Sequence, residues 1–141
     1  MLSLRLNVRD AALSQEFYVN MLGFQAGEAL PSPDGKPIFA GVTHDGTLIM
    51  LDATDQAAAA EPDRGKGIII DVQHPEDFDI DSFYNRLKDA GVPVVTEIAD
   101  QFWGYRMFAI ADPDGYAISF QKKVFDANFD DLASFTAQGN Q

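Results

Sequence analysis

Cysteine is absent from this 141-residue sequence, which excludes disulfide bridges, thiol nucleophiles and metal sites built on cysteine. Histidine is nearly absent: His44 precedes a predicted hairpin turn, His74 lies in an acidic stretch, and we interpret both as solvated loop residues. No apolar run is long enough to span a membrane, and the chain opens on a predicted strand instead of a signal peptide. We therefore expect a cytoplasmic protein.

Basic residues are also scarce, with 10 lysines and arginines against 22 aspartates and glutamates, for a net charge of −12. Such a charge repels nucleic-acid phosphates and anionic membranes, so we expect no nucleic-acid or membrane partner. The acidity serves either solubility alone or the attraction of a cationic ligand. The sequence also lacks a glycine-rich phosphate loop and a Gly-x-Ser-x-Gly nucleophile motif.

The most specific local pattern is a β-hairpin over residues 102–121, whose turn reads Asp112-Pro113-Asp114-Gly115. The same pattern occurs 69 residues earlier, where Phe39 matches Phe108 and Asp45-Gly46 matches Asp114-Gly115. Matched turns inside matched strand pairs predict a duplicated module.

Module one begins with strict alternation from Leu2 to Val8, which predicts a strand, and Asp10 then caps a helix that ends before Gly23. Leu13, Phe17 and Met21 recur at helical spacing on this helix, so we expect its apolar face to pack on the strand.

Module two repeats this plan with a strand from Gly67 to Val72 and a helix capped by Asp79 or Asp81. The helix carries three apolar residues at helical spacing, namely Phe83, Leu87 and Ala90. We divide the single domain, residues 1–141, into module one (1–54), a linker (55–65), module two (66–122) and a tail (123–141). The tail carries four apolar residues near helical spacing, Phe125, Phe129, Leu132 and Phe135, which predict a terminal helix.

The predicted fold class is α+β. Two pseudo-symmetric β-α-β-β-β modules form a curved mixed sheet with a concave cup, and the helices lie outside. We expect a homodimer, because an exposed sheet edge in each module and the apolar tail need cover.

Three features together resemble the vicinal oxygen chelate superfamily, which includes glyoxalases, bleomycin-resistance proteins and extradiol dioxygenases. They are the duplication, the opening from Val8 to Phe24, and Trp103-Gly104-Tyr105-Arg106 running into the Asp-Pro-Asp-Gly turn. The resemblance covers about residues 1–122 and looks strongest to the bleomycin-resistance-like branch. It implies the fold; the function still depends on what the cup contains.

Enzymes of this superfamily hold a divalent metal through four side chains, and the resemblance places these positions at Ser3, Met50, Gly67 and Ser119. None of the four is histidine, aspartate, glutamate or cysteine. A thioether, two hydroxyls and a glycine are poor ligands for a divalent ion. We therefore expect no metal and no cofactor.

Strand phase places a mixture of polar and apolar residues in the cup, including Asn7, Ile69 and Ala117, which suits a small-molecule pocket. The predicted ligand-binding residues are Trp103, Phe102, Tyr105, Arg5, Asp52, Asp71, Gln121, Met50 and Ser119. The three aromatic residues lie at the expected rim, where flat rings stack on planar or cationic ligands. Trp103 alternatively packs at a dimer seam. For Arg106 we favour an ion pair with Asp112 or Asp114 over contact with a ligand.

These residues predict a metal-free binding protein that sequesters a cationic or aromatic drug-like molecule, with antibiotic resistance as the corresponding biological role. The alternative is an enzyme of the lyase, dioxygenase or transferase type. Such an enzyme would use a displaced metal site, or an acid–base pair such as Asp71 and Arg5.

Overall fold

The structure of the protein is a computed structural model that describes residues 2–128 and 130. The chain divides into two compact units: unit one is Met1–Gly67 with Asp112–Tyr116, and unit two is Ile68–Ala111 with Ala117–Gln141. Residues 124–128 form no regular element, and the rest of the predicted terminal helix lies outside the described residues apart from Asp130.

Unit one contains a four-stranded mixed sheet in the order β1-β4-β3-β2. Its elements are β1 (Ser3–Asn7), α1 (Ala11–Glu16), a π-helical turn (Phe17–Met21), β2 (Gln25–Pro31), β3 (Pro37–His44), β4 (Thr47–Asp52) and α2 (Gln56–Ala59). Strand β1 pairs parallel to β4, and the other neighbours are antiparallel. Asp10 caps α1 as predicted, because its carboxylate accepts a hydrogen bond from the Leu13 amide at 3.0 Å.

Unit two has the same topology in the order β5-β8-β7-β6, with β5 parallel to β8. Its elements are β5 (Ile69–His74), α3 (Ile80–Asp89), β6 (Val94–Asp100), β7 (Tyr105–Ala111) and β8 (Ala117–Lys123). The predicted α+β class and the repeated β-α-β-β-β plan are therefore confirmed. Asp79 is the cap of α3, since its carboxylate accepts from the Ser82 amide at 3.1 Å.

Aromatic side chains form much of the core of unit two, and α3 contributes to it from its buried face. Phe83 packs edge-on against Phe120 at 4.9 Å, and Tyr84 contacts Phe108 at 5.0 Å between ring centroids. Leu87 is fully buried beside them. Face-to-edge packing of this kind adds to the free energy of apolar burial, which is about 1.5–3 kcal/mol per large side chain.

The buried face of α1 differs from the prediction. Leu13 is 53% exposed, whereas Ala11, Ser14 and Tyr18 are buried. Helical spacing alone favours Leu13, Phe17 and Met21, but Ser14 and Tyr18 bind buried carboxylates of the turn at residues 112–116. A buried polar group is stable only when it is hydrogen-bonded, so these long-range bonds determine which face turns inward.

The turn at residues 112–116 belongs to unit one, and both of its aspartates are buried. Tyr18 Oη donates to Asp112 Oδ2 at 2.8 Å, while the amides of Asp114 and Tyr116 donate to Asp112 Oδ1 at 2.9 Å. Burial raises the pKa of Asp112 despite these bonds, because it disfavours the charged form. Burial, followed by the Asp112 charge, raises the pKa of Tyr18 as well.

The predicted ion pair of Arg106 with Asp112 or Asp114 is wrong. Arg106 Nη2 lies 2.7 Å from Asp81 Oδ1, and its Nη1 lies 3.0 Å from Asp100 Oδ1. Hydrogen bonds from Arg106 lower the pKa of Asp81. Arg106 therefore joins α3 to the edge of the sheet in unit two.

The two histidines are not solvated loop residues, contrary to the prediction. His44 ends β3 and stacks on Phe24 with ring centroids 4.8 Å apart. His74 ends β5, and its ring stacks on Phe78 at 4.0 Å. Aromatic stacking holds both rings at the ends of strands.

Candidate functional site

The face of the second sheet opposite α3 carries four of the predicted ligand residues, Asp71, Ser119, Gln121 and Tyr105. The strand register pairs Asp71 with Ser119, and Gln73 with Gln121. Because side chains alternate along a strand, Asp71, Ser119 and Gln121 share this face with Met107 and Tyr105 of β7. The arrangement offers a carboxylate and an amide beside apolar groups.

Ser119 is 1% exposed, and its hydroxyl donates a hydrogen bond to Asp71 Oδ1. The Asp71 residue itself is exposed. Gln121 is half-buried between Gln73 and Met107 in the register. A carboxylate whose position is fixed by a buried hydroxyl is a suitable acceptor for a ligand N–H group.

Phe102 and Trp103 lie in a tight turn that leads into β7. They are 37% and 36% exposed, and their rings meet edge-on with centroids 4.9 Å apart. The Gly104 amide donates to the Gln101 carbonyl at 3.0 Å and closes the turn. Gly104 has a φ of +96°, and a Cβ at this position would lie 2.4 Å from the Phe125 carbonyl oxygen.

Unit one contains the same turn with different side chains. The Ser32 amide donates to the Lys36 carbonyl at 2.7 Å, as the Gln101 amide donates to the Tyr105 carbonyl at 2.7 Å. Gly35 has a φ of +85° and is equivalent to Gly104. The residues equivalent to Phe102 and Trp103 are Pro33 and Asp34, 69 positions earlier. The backbone of this turn therefore forms without aromatic residues.

The remaining predicted ligand residues lie on one face of the first sheet. Arg5 pairs with Met50 in the strand register, and Arg5 Nε lies 3.9 Å from Asp52 Oδ2. Asp52 is 9% exposed and accepts from the Thr54 amide at 2.8 Å and the Thr54 hydroxyl at 2.5 Å. These bonds, chiefly that from the hydroxyl, lower the pKa of Asp52, and the Arg5 charge adds to the effect.

The four positions that hold a metal in enzymes of the predicted superfamily do not supply a donor set in this chain. Ser3 lies beside Leu48, Gly67 precedes β5 with a φ of +84°, and the Ser119 hydroxyl is bound to Asp71. Met50 offers only a thioether, which divalent magnesium, manganese or zinc binds poorly. Within residues 2–128 and 130, no group of three or more histidine, aspartate and glutamate side chains is placed to hold a metal ion.

The acid–base alternative also involves residues with other partners. Arg5 contacts Asp52, and Asp71 accepts a hydrogen bond from the Ser119 hydroxyl. A pairing of Arg5 with Asp71 stays a prediction. In the part of the chain that the structure describes, no helix is long and apolar enough to cross a membrane.

Comparison with known proteins identifies both a family and individual relatives. The model of the "Glyoxalase/Bleomycin resistance protein/Dioxygenase superfamily" matches residues 1–120. "Uncharacterized protein Mb0911c" of Mycobacterium bovis is 34% identical over 144 residues, which span 99% of this chain and 94% of the relative.

Two solved structures show what this fold carries elsewhere. TnmS3, an antibiotic binding protein from Streptomyces sp. CB03234, aligns with a TM-score of 0.62 and 25% identity, covering 86% of this chain and 93% of TnmS3. Lactoylglutathione lyase from Agrobacterium tumefaciens aligns with a TM-score of 0.65 and 14% identity, covering 86% of this chain and 92% of the lyase. A binding protein and an enzyme thus match about equally well, so the fold alone does not decide the function.

Proposed function

The chain belongs to the glyoxalase/bleomycin resistance protein/dioxygenase superfamily, and from that premise we propose that it binds a small organic molecule without a metal. We propose the bleomycin-resistance-like branch, with a planar aromatic or cationic drug-like ligand that the protein sequesters. Antibiotic resistance is the corresponding biological role. The cytoplasm is the proposed compartment.

The observation that carries this proposal is the aromatic turn before β7. Its backbone has the same hydrogen bonds as the turn at residues 32–36, which contains proline and aspartate instead of aromatic residues. The backbone hydrogen bonds that close the turn involve no atom of the Phe102 or Trp103 side chain. Large apolar side chains that do not close the turn, and that stay more than a third exposed, favour a role in binding.

The polar residues support the same conclusion from another side. Ser119 and Met50 occupy positions where a metal enzyme of the superfamily needs histidine or glutamate. Asp71, oriented by Ser119, supplies a negative acceptor in unit two, and Asp52 supplies one in unit one. Together with the net charge of −12, these carboxylates favour a ligand that carries hydrogen-bond donors or a positive charge.

The lyase at 14% identity supports the fold alone, whereas TnmS3, at 25% identity, is an antibiotic binding protein. Elemental analysis of the purified protein tests the metal-dependent form of the alternative enzyme function. Stoichiometric iron, manganese, nickel or zinc would contradict the metal-free proposal.

The ligand proposal is tested by a thermal-shift screen over antibiotics and aromatic metabolites, followed by titration of Trp103 fluorescence with each hit. Trp103→Ala should weaken binding by about 1–3 kcal/mol, the range for losing a buried aromatic contact. Trp103→Phe, which keeps a ring, should weaken it less.

Asp34→Ala, at the equivalent position of the other turn, is the matched control and should leave affinity unchanged. If Trp103→Ala abolishes dimerisation while folded protein binds the hit at full affinity, Trp103 belongs to a dimer seam. The proposed ligand contacts would then be the polar residues of each sheet taken separately, Arg5 and Asp52 in unit one and Asp71 and Gln121 in unit two.

We also propose that the protein acts as a homodimer. Every residue of the edge strand β2 is exposed, and unpaired strand edges in soluble proteins are commonly covered by a partner. Light scattering at micromolar concentration should give twice the monomer mass. A monomer at that concentration would contradict this proposal.

A further inference from the structure

Two aromatic rings of unit two stand at a right angle on its surface, and we call this pair the aromatic corner. The rings of Phe102 and Trp103 meet at 87° with centroids 4.9 Å apart, and both residues are more than a third exposed. A planar ligand can stack face to face on only one of two perpendicular rings. A tetrahedral group such as trimethylammonium carries methyl groups in several directions and can contact both rings at once. The shape of the corner therefore favours a compact cation over a flat ring.

The chain after β8 adds a third ring beside the aromatic corner. The Gly104 carbonyl accepts hydrogen bonds from the Val124 amide at 2.8 Å and from the Phe125 amide at 3.2 Å. Gly104 directly follows Trp103, so these bonds hold Val124 and Phe125 next to the corner. The two residues are 39% and 45% exposed. Three aromatic side chains and one aliphatic side chain are thus grouped on this surface.

A shallow, mainly polar groove adjoins Val124 and Phe125. It has a volume of about 200 Å³ and is also lined by Glu76, Lys123 and Asp126. Lys123 forms an ion pair with Asp126. Hydrogen bonding to Asp126 raises the pKa of Lys123, and the Glu76 charge adds to this effect. Two carboxylates and one ammonium group leave the groove with a net charge of −1.

Glu76 supplies the excess negative charge of the groove. Lys122 Nζ donates to the Glu76 carbonyl at 3.3 Å and to the Phe78 carbonyl at 2.7 Å, which holds this loop beside β8. Both bonds use backbone oxygens. Within residues 2–128 and 130, the Glu76 carboxylate forms no hydrogen bond or ion pair, and the residue is exposed. A cation next to Phe125 would therefore meet a carboxylate that has no other partner in the described chain.

We propose that the aromatic corner, Phe125 and Glu76 form a binding site for a methylated ammonium group. The methyl groups contact the rings, the ring faces attract the positive charge, and Glu76 acts as the counter-charge in the adjoining groove. A primary ammonium group fits less well, because it is strongly hydrated and its N–H donors favour direct contact with a carboxylate. The net charge of −12 attracts the same class of ligand.

This assignment rests on the proposed binding role of Trp103, and it narrows the ligand from an aromatic or cationic molecule to one that carries a methylated cation. Each exposed cation–π contact is worth about two- to fivefold in affinity. Three rings and one carboxylate therefore give an isolated methylated ammonium ion a dissociation constant on the order of 10 mM.

Choline is the probe for this site. Its control is the neutral alcohol of the same shape, in which a tert-butyl group replaces trimethylammonium. Both are titrated into ligand-free, full-length protein, with sodium chloride keeping the ionic strength constant. Trp103 is the only tryptophan, so its fluorescence and its single indole N–H resonance report on the corner. We expect choline up to about 100 mM to move the resonance saturably, and the neutral alcohol to bind about fivefold or more weakly.

Two substitutions separate the contributions of ring and charge. Phe125→Leu keeps an apolar side chain but removes the ring, and Glu76→Gln removes the charge. Each should weaken choline binding about two- to fivefold and leave binding of the neutral alcohol unchanged. The matched control is Asp77→Asn, because Asp77 is the next exposed carboxylate in the chain and does not line the groove. It should leave both titrations unchanged.

Equal affinity for choline and the neutral alcohol would overturn the proposal, because the surface would then recognise apolar shape alone. A Trp103 resonance that stays fixed at about 100 mM choline, or unchanged choline binding in both variants, would also overturn it. If a drug-like hit moves the resonance while choline does not, the ammonium assignment fails and the proposed binding function stands. If choline moves it and no drug-like compound binds, the sequestering function fails and the ammonium site stands.

Discussion

Replacing Asp114 tests the turn at residues 112–116, whose buried aspartates bind several polar groups of unit one. The Asp114 side chain is 2% exposed and accepts from the Arg9 amide at 3.0 Å, Arg9 Nε at 3.1 Å and Ser14 Oγ at 3.2 Å. Arg64 Nη2 approaches the same carboxylate at 3.4 Å. Asp114→Ala removes the acceptor for all four donors, and Asp114→Asn removes its charge but keeps one oxygen.

The expected magnitude follows from the burial of each donor. Ser14 is 1% exposed, and an unsatisfied buried hydroxyl costs about 1–3 kcal/mol. The Arg64 side chain is 17% exposed and keeps its bond to the Glu61 carbonyl, whereas the Arg9 side chain is 60% exposed and regains water. We therefore expect about 3 kcal/mol for Asp114→Ala, the lower end for breaking a buried ion pair. Asp114→Asn should cost about 1–2 kcal/mol.

Urea unfolding followed by circular dichroism measures this loss directly. With a slope of about 1–3 kcal/mol per molar urea, Asp114→Ala should move the midpoint down by about 1–3 M. Asp45→Asn is the matched control for Asp114→Asn, because Asp45 is exposed at the equivalent hairpin and its φ of 48° suits asparagine. The control should change stability by less than about 0.5 kcal/mol. A loss below about 1 kcal/mol for Asp114→Ala would refute the reasoning, since the turn would then not anchor unit one.

Three further predictions concern charge burial and backbone conformation. Burial raises the pKa of Asp112, so the stabilisation from its neutral form is lost as pH rises from 3.8 through the folded pKa. Asp112→Asn should therefore lower the free energy of unfolding in urea less at pH 7 than at pH 4. The lowered pKa of Asp52 has the opposite sign: its contribution is present above 3.8 and lost as pH falls through the folded pKa, so Asp52→Asn should cost most at neutral pH. Equal pH trends for the two variants would contradict both assignments. Gly104→Ala should destabilise the protein more than Gly35→Ala in thermal unfolding. In both variants alanine must adopt a positive φ, which costs about 1–2 kcal/mol, but only at residue 104 would the added Cβ meet backbone atoms within 4 Å.

The repeat and its turns could be predicted from the sequence because their signals are local. Asp-Gly dipeptides fix the hairpins, and aspartates before the helices supply side-chain caps within three residues. The buried face of α1 could not be predicted in this way. Ser14 and Tyr18 are polar, and their partners Asp114 and Asp112 lie 100 and 94 positions away. Helical spacing takes only apolar residues into account, and it therefore predicted that Leu13 lies on the buried face of α1.

The candidate site shows the same division between local and long-range signals. Alternation along each strand placed Asp71, Ser119 and Gln121 on one face, which agrees with the observed register. One partner of Arg106, Asp81, did not follow from the sequence, because Asp112 and Asp114 are nearer in the chain; the other, Asp100, lies opposite Arg106 in the strand register. Which carboxylate an arginine meets depends on the packing of α3 beside the sheet, which sequence spacing does not encode.

The pair of equivalent turns also bears on how the chain can change over evolutionary time. In each copy, two backbone hydrogen bonds close the turn and a glycine takes the positive φ, while in unit one Asp34 Oδ1 also accepts from the Lys36 amide at 3.1 Å. The two residues before that glycine are Pro33-Asp34 in one copy and Phe102-Trp103 in the other. The closing backbone bonds are the same with either pair of side chains. Two substitutions at such a turn can therefore give one copy a surface chemistry that the other copy lacks, while both keep the same backbone conformation.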